Sequence, residues 1–303
     1  MKHILNAKQF NIVDVEKILN SVPKMKEICE TNKERPLLGK IVACVFFEPS
    51  TRTRLSFETA ALRLGAQVIS AEDASHNSSS HKGETIEDTT RTLSCYADII
   101  VMRHHIVGAA ENAAKVSTKS IVNAGDGANQ HPSQGLLDLY TIQKEHGKLT
   151  GLSIAFVGDV LNSRTIHSLI PLLILYGGNK FYFISPKELM IDAEFRNYLV
   201  DNKVDFEEIN ELDGVLPKVD VLYMTRVQKE RFGNIADYEK VKDSFLLKKE
   251  HVDKLKSDAI IMHPLPRVNE IEPEIDQDSR AAYFRQAQNG LYVRMALLLH
   301  TLE

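Results

Sequence analysis

The stretch VFFEPSTRTRLSFETA (residues 45–60) places Ser50, Thr51, Arg52, Thr53 and Arg54 in a row after an apolar run and a proline. Residues 45–47 close the run KIVACVFF (40–47), whose composition is that of a buried strand, and Pro49 starts a turn. Leu55, Phe57, Ala61 and Leu64 then follow at helical spacing up to Gly65, a residue suited to a left-handed C-terminal position. The pattern predicts strand, turn and helix, with residues 50–54 as the first helical turn. Backbone N–H groups point out of such a turn and the macrodipole is positive there. Three hydroxyls and Arg52 add donors, so the group suits a phosphate. Helix N-termini favour acids, and two arginines there cost stability unless an anion binds. Ser50 as a simple N-cap with solvated arginines is the plainer alternative.

Strand-like runs followed by turn residues and helix-period segments recur along the chain, the signature of βαβ units. In the first half these are residues 40–47, 66–71, 97–103 and 119–125; in the second, 152–159, 179–185, 219–225 and 258–264. Four and four predict an α/β fold of two doubly wound parallel-sheet domains. Between them, HPSQGLLDLYTIQKEHGKLTG reads as a bridging helix opened at Pro132 and closed near Gly147. The last segment, AAYFRQAQNGLYVRMALLLHTL, is a strongly apolar helix expected to cross back to the first domain. Polar residues gather after the apolar runs: Glu48 to Ser50, Arg103-His104, Asp126 to His131, Asp159 with Arg164, Thr225-Arg226, and His263 to Arg267. Open α/β sheets bind ligands beyond their carboxyl edges. The active site is therefore expected in the cleft between the domains.

The chain has 303 residues, 43% of them hydrophobic, and a formal net charge of −4, which argues against general affinity for nucleic acid or anionic membrane. Cationic clusters must then be aimed at something small. Cys29, Cys44 and Cys95 are widely spaced and read as reduced core thiols. No h-region or long apolar run appears, so the expected location is cytoplasmic. His76, His81, His104 and His105 lack zinc-site spacing, and G-x-G-x-x-G is absent after residues 152–159, so neither metal nor nucleotide cofactor is expected.

FFEPSTRT matches the carbamoyl phosphate signature F-x-[EK]-x-S-T-R-T, and the chain resembles the aspartate/ornithine carbamoyltransferase family. HKGETIEDTTRTL, ADIIVMRHH, NAGDGANQHPSQGLLDLYTI, FVGDVLNSRTIHSL, LYMTRVQKERF and MHPLPRVNEI each resemble motifs of the aspartate-specific catalytic chains, in order from end to end. The resemblance implies a carbamoyl phosphate-binding domain of residues 1–134 plus 287–303 and an aspartate-binding domain of 135–286. Ser50, Thr51, Arg52, Thr53 and Arg103 would hold the phosphate. His131, with Arg103 and Thr53, would stabilise the oxyanion. Gln134 and the backbone carbonyls of Pro264 and Leu265 would orient the carbamoyl NH2. Arg164, Arg226 and Gln228 would hold the aspartate carboxylates. Ser78 and Lys82 would enter from the neighbouring chain, Lys82 touching both substrates. Glu48 would pair with Arg164 and Arg231 in a closed form.

The implied reaction is direct attack of the aspartate α-amine on the carbamoyl carbon, expelling phosphate, without acyl-enzyme or metal. The departing phosphate is a candidate acceptor for the amine proton. The resemblance further implies a homotrimer with shared sites, which in some members joins separate zinc-bearing regulatory chains or a dihydroorotase-like partner. Two rival readings compete with this one. An ornithine-type enzyme takes a cationic side chain, which Arg226 and Gln228 oppose, and commonly has cysteine where Pro264 stands. A non-catalytic anion-binding relative would have little reason to keep every matched residue type.

Overall fold

The computed structural model describes residues 3–72, 83–227, 234, 238–239, 241 and 244–302. It divides into two compact units. One comprises residues 1–140, 167–172 and 288–303, the other 141–166 and 173–287.

In the first unit α1 (Ile12–Thr31) precedes β1 (Ile41–Phe46), α2 (Thr51–Arg63), β2 (Gln67–Glu72), α3 (Ile86–Tyr96), β3 (Ile99–His104), α4 (Ala109–Val116) and β4 (Ser120–Asp126). The strands form a parallel sheet in the order β2-β1-β3-β4. Residues 42–47 are all buried, as a central parallel strand covered on both faces requires. Phe57 anchors α2 on this sheet with no exposure, a burial that contributes about 1.5–3 kcal/mol. Leu55, expected on the same apolar face, is 48% exposed instead. It lies a little over half a turn from Phe57, and the buried stripe runs through Phe57, Ala60, Ala61 and Leu64.

The chain leaves this unit within α5 (Pro132–His146), the helix expected from Pro132 to Gly147. The second unit holds β5 (Ser153–Val157), α6 (Arg164–Ile174), β6 (Lys180–Ile184), α7 (Ala193–Asp201), β7 (Asp205–Ile209), β8 (Val221–Met224), α8 (Lys249–Val252) and β9 (Ile260–Met262). Its parallel sheet runs β7-β6-β5-β8-β9. The final helix α9 (Tyr283–His300) rejoins the first unit from Gln288 onward. The strand β7 is the one missed in the sequence. DFEEI carries three acids in five residues, which only an edge strand with no fully buried position tolerates.

Only Cys44 is a core thiol; burial pushes its pKa up to about 12. Cys29 is partly exposed and Cys95 is exposed, contrary to the core reading. No described helix is long and apolar enough to cross a membrane.

Candidate active site

Each sheet has one topological switch point, where neighbouring strands send their connections to opposite sides: β1/β3 in the first unit and β5/β8 in the second. Of the predicted cations, Arg52, Arg103, Arg164 and Arg226 stand at the ends of these strands or at the start of the helices that follow them.

In the first unit, register pairs Phe46 with Arg103, and Phe47 N–H donates to Arg103 O at 2.8 Å. That pairing brings the end of β3 beside Glu48 and the start of α2. Between Met102 and His104 the register of β3 against β4 shifts, a local irregularity of the kind that re-aims a side chain. Arg103 is 8% exposed, and its Nη2 lies 3.2 Å from Glu48 Oε1. Ser50 occupies the N-cap of α2, but its side chain makes no capping bond, and no acid stands in the first turn. The hydroxyl is thus not spent on capping. The two arginines of that turn divide their work. Arg54 is held by Glu58 at 3.2 Å and Glu72 at 2.7 Å, whereas Arg52 and Thr51 lie exposed at the helix mouth and Thr53 is buried beneath them.

His131 is fixed from behind. Asp126, 1% exposed, accepts from Gly108 N–H (2.8 Å), Asn123 Nδ2 (2.9 Å), Asn129 Nδ2 (3.1 Å) and Gln130 N–H (3.2 Å), which orders the loop before α5. His131 N–H donates to Ser168 Oγ at 2.8 Å, and that hydroxyl donates to Gln130 Oε1 at 3.0 Å. Gly135 permits this approach: a Cβ there would meet the Ser168 carbonyl oxygen at 2.6 Å. The His131 Nδ1 faces the Ser133 hydroxyl at 3.4 Å. With Ser133 donating, the ring proton sits on Nε2, the donor that an oxyanion needs. His104 serves otherwise. Its Nδ1 accepts from Ile106 N–H at 3.0 Å and its ring stacks on His105 with centroids 4.5 Å apart. Burial pushes its pKa down to about 4, so it is neutral at physiological pH.

In the second unit, Gly158 follows β5 with φ +108°, and a Cβ there would meet Thr225 O at 2.2 Å, so only glycine lets the ends of β5 and β8 close together. Thr225 N–H and Oγ1 both donate to Val157 O at 2.8 Å, which sets Arg226 at the strand end. The fully buried Asp159 accepts from Asn162 N–H at 2.9 Å and turns the chain into α6, which opens on Arg164 with no acid in its first turn. By contrast α3 opens with Glu87 and Asp88, and α7 with Glu194. The two helices that follow the switch-point strands β1 and β5 thus reverse the usual charge preference of a helix N-terminus.

The segment after β9 is held by a buried pair. His263, 1% exposed, meets Glu270 Oε1 through Nε2 at 2.7 Å, and its Nδ1 accepts from Leu265 N–H at 2.8 Å. An accepting Nδ1 leaves the proton on Nε2, so His263 donates to Glu270. Burial holds His263 below the ordinary histidine pKa and keeps it neutral. Leu265 is thereby kept at φ 55°, a left-handed conformation that costs a leucine about 1–2 kcal/mol and that orients the carbonyls of Pro264 and Leu265. Arg267, at a strand end like the predicted site arginines, is structural: it forks onto Asp276, with Nη2 to Oδ2 at 2.6 Å, and lies over the Tyr283 ring at 5.2 Å. Glu270→Gln is expected to lower stability by about 1–3 kcal/mol, because an amide NH2 must then face either the His263 N–H or the N–H groups of Val268 and Asn269. Calorimetric unfolding at a wild-type midpoint would show the pair to be dispensable.

Ser78, Lys82, Gln228 and Arg231 lie outside the described residues. Among those described, no cluster of three or more His, Cys, Asp or Glu is arranged to hold a metal. A cavity of about 330 Å³ lined by Gly178, Lys180, Lys203 and Asp205 opens at the amino ends of β6 and β7, the edge opposite to Thr225 and Arg226. Sequence reasoning placed Asp126 at a strand end without a role and passed over Glu270 and Asp138, carboxylates that position other groups. Asp138 carried a legible signal, an acid four residues after Gln134 on a helix face shared with buried leucines.

An α/β fold with arginines at two switch points, around helix N-termini that lack acids, is the arrangement of a protein suited to small anions. The family description "Aspartate/ornithine carbamoyltransferase, carbamoyl-P binding domain" matches residues 2–144, and its "Asp/Orn binding domain" counterpart matches residues 150–301. The chain belongs to the aspartate/ornithine carbamoyltransferase family. It is 49% identical over 304 residues to the aspartate carbamoyltransferase catalytic subunit of Methanocaldococcus jannaschii, covering 100% of this chain and 98% of that one. The crystal structure of the M. jannaschii catalytic subunit superimposes with a TM-score of 0.92 at 48% identity, over 100% of this chain and 98% of that one. The chloroplastic aspartate carbamoyltransferase of Arabidopsis thaliana is 47% identical over 98% of this chain and 77% of its own length. The Trypanosoma cruzi aspartate transcarbamoylase, solved with carbamoyl phosphate and aspartate, superimposes with a TM-score of 0.91 at 37% identity, covering 98% of this chain and 95% of that one.

Proposed function

We propose that this protein transfers the carbamoyl group of carbamoyl phosphate to the α-amine of L-aspartate, giving N-carbamoyl-L-aspartate and phosphate, a step of pyrimidine biosynthesis. The observation that carries this reading is that both helices after the switch-point strands carry arginine and no acid in the first turn, an arrangement that an arriving anion stabilises. Carbamoyl phosphate brings nearly two negative charges, since the second phosphate pKa is about 6, and aspartate brings two carboxylates.

In this reading Ser50, Thr51, Arg52 and Thr53 receive the phosphate with the N–H groups of the first turn of α2. Arg103 and the His131 Nε2–H, with Thr53, point donors at the carbamoyl oxygen as negative charge grows on it, and Gln134 with the carbonyls of Pro264 and Leu265 accepts from the carbamoyl NH2. Arg164, Arg226 and Gln228 take the aspartate carboxylates, and Lys82 from a neighbouring copy touches both substrates. The amine attacks the carbamoyl carbon, the tetrahedral intermediate collapses, and phosphate leaves; the phosphate is itself a base able to take the amine proton. Rate comes from positioning and preorganised charge, with no covalent enzyme intermediate. A homotrimer in the cytoplasm completes the proposal, tested by native mass measurement and by fractionation of the source cells.

Transfer of label from carbamoyl phosphate to aspartate but not to ornithine is the expected result; transfer to ornithine, or none at all, would overturn it. Arg226→Ala is expected to raise the KM for aspartate more than about tenfold while barely altering that for carbamoyl phosphate, because a charge-assisted hydrogen bond to one substrate is lost. Equal weakening of both substrates would remove Arg226 from the aspartate site.

A further inference from the structure

Gln134 lies on the first turn of α5 with 8% exposure, and its Nε2 donates to Asp138 Oδ1 at 2.8 Å. Asp138 is fully buried. Arg294, from the final helix α9, enters the same core. Its Nη1 donates to Ser56 Oγ at 3.1 Å, and its guanidinium lies over the Phe57 ring at 5.3 Å, so it also touches the helix that receives the phosphate. Burial pushes the Arg294 pKa down to about 10, with Asp138 pulling it back up. The guanidinium stays charged at neutral pH. Its Nε finds no partner among the described residues.

The Asp138 Oδ1 accepts from the Gln134 amide, and a carboxylate has only lone pairs to offer, so it receives that hydrogen bond and gives none. The side-chain amide nearly superimposes on itself when rotated by half a turn, and its hydrogen-bond partner decides which end faces which way. With the nitrogen turned to Asp138, the Gln134 Oε1 is the end left to meet a ligand.

We propose that Asp138 is a positioning residue that fixes the rotation of the Gln134 amide through the hydrogen bond it accepts from Gln134 Nε2, so that the site selects donors carrying N–H on the acyl carbon. This rests on the reading that Gln134 meets the carbamoyl NH2. Acetyl phosphate is the informative comparison, since it has nearly the size and charge of carbamoyl phosphate but presents CH3 in place of NH2. Gln134 Oε1 can reward only the NH2.

The test measures, on the full-length protein, the KM for carbamoyl phosphate and the inhibition constant of acetyl phosphate as its competitor. In Asp138→Asn, an amide that turns its NH2 to Gln134 obliges Gln134 to rotate and present NH2 to the substrate NH2. Carbamoyl phosphate is expected to weaken about tenfold, one hydrogen bond lost against two donors opposed, while acetyl phosphate changes less than about twofold. An equal loss for both, as a merely structural lesion would give, or an unchanged ratio overturns the proposal. Gln134→Ala separates the two layers. If it leaves the ratio at the wild-type value, the underlying placement of Gln134 fails. If it collapses the ratio while folded Asp138→Asn does not, only the role of Asp138 falls. Neutron diffraction from deuterium-exchanged wild-type crystals decides the matter without any variant: both amide deuterons should lie on the Gln134 atom facing Asp138, and an oxygen there would overturn the assignment.

Discussion

Arg103→Ala is expected to lower kcat by about 10²–10³-fold, the usual cost of losing a preorganised donor to developing negative charge. The fold should survive the change, because Arg103 holds β1 through its backbone: the Phe47 N–H to Arg103 O bond and the pairing with Phe46 do not depend on the side chain. What disappears is a guanidinium almost out of solvent and already aimed, by the register shift between Met102 and His104, toward the mouth of α2. Glu48 Oε1, 3.2 Å away, loses one cationic neighbour at the same time. Removal of a cation expected to meet the phosphate predicts a raised KM for carbamoyl phosphate in addition to the lower kcat. Arg103→Lys should fall between the two, keeping the charge but not the planar fork. Steady-state kinetics with a thermal unfolding control distinguishes these cases. An alanine variant with near-normal kcat would remove Arg103 from the reaction.

The sequence made this site legible to the extent that its chemistry is local. Residues 45–60 carry strand, turn and helix in one window, and the conflict between two arginines and a helix N-terminus can be read without coordinates. The structure refines that conflict: Arg54 pairs with Glu58 and Glu72, while Arg52 lies exposed at the helix mouth. Strands with apolar sequences were legible for the same reason. DFEEI was not, since an edge strand is recognised by what pairs with it, Lys180 to Ile184, and not by its own composition. Cys95 was misjudged because apolar neighbours in sequence say little about which helix face a residue occupies; it lies on an exposed face of α3. The positioning carboxylates escaped for a deeper reason. Glu270 gains its meaning from the buried His263 ring across a loop, and no periodicity links the two.

Recovered activity on mixing two inactive variants, Arg52→Ala and Lys82→Ala, is expected if each site draws on two copies of the chain. The argument begins with SHNSSSHKGE (75–84), too polar for a core, which leaves Lys82 suited to reach a neighbour's substrates. Arg52, by contrast, stands at the mouth of its own α2, exposed beside the switch point of its own sheet. Suppose each variant is purified and found inactive, then dissociated, mixed in equal amounts and reassembled. In any trimer containing both, one junction around the ring pairs an intact Arg52 with an intact Lys82 from next door, and the other two do not. Random assembly makes about three trimers in four hybrid, so about a quarter of wild-type activity should return by this cyclic counting. The return should scale with the hybrid fraction measured by native mass spectrometry, and unmixed controls taken through the same dissociation should stay inactive. Sites built from a single chain cannot behave this way, because every chain in the mixture lacks one of the two cations. Verified hybrids no more active than the controls would therefore place Lys82 in the site of its own chain and overturn the shared site.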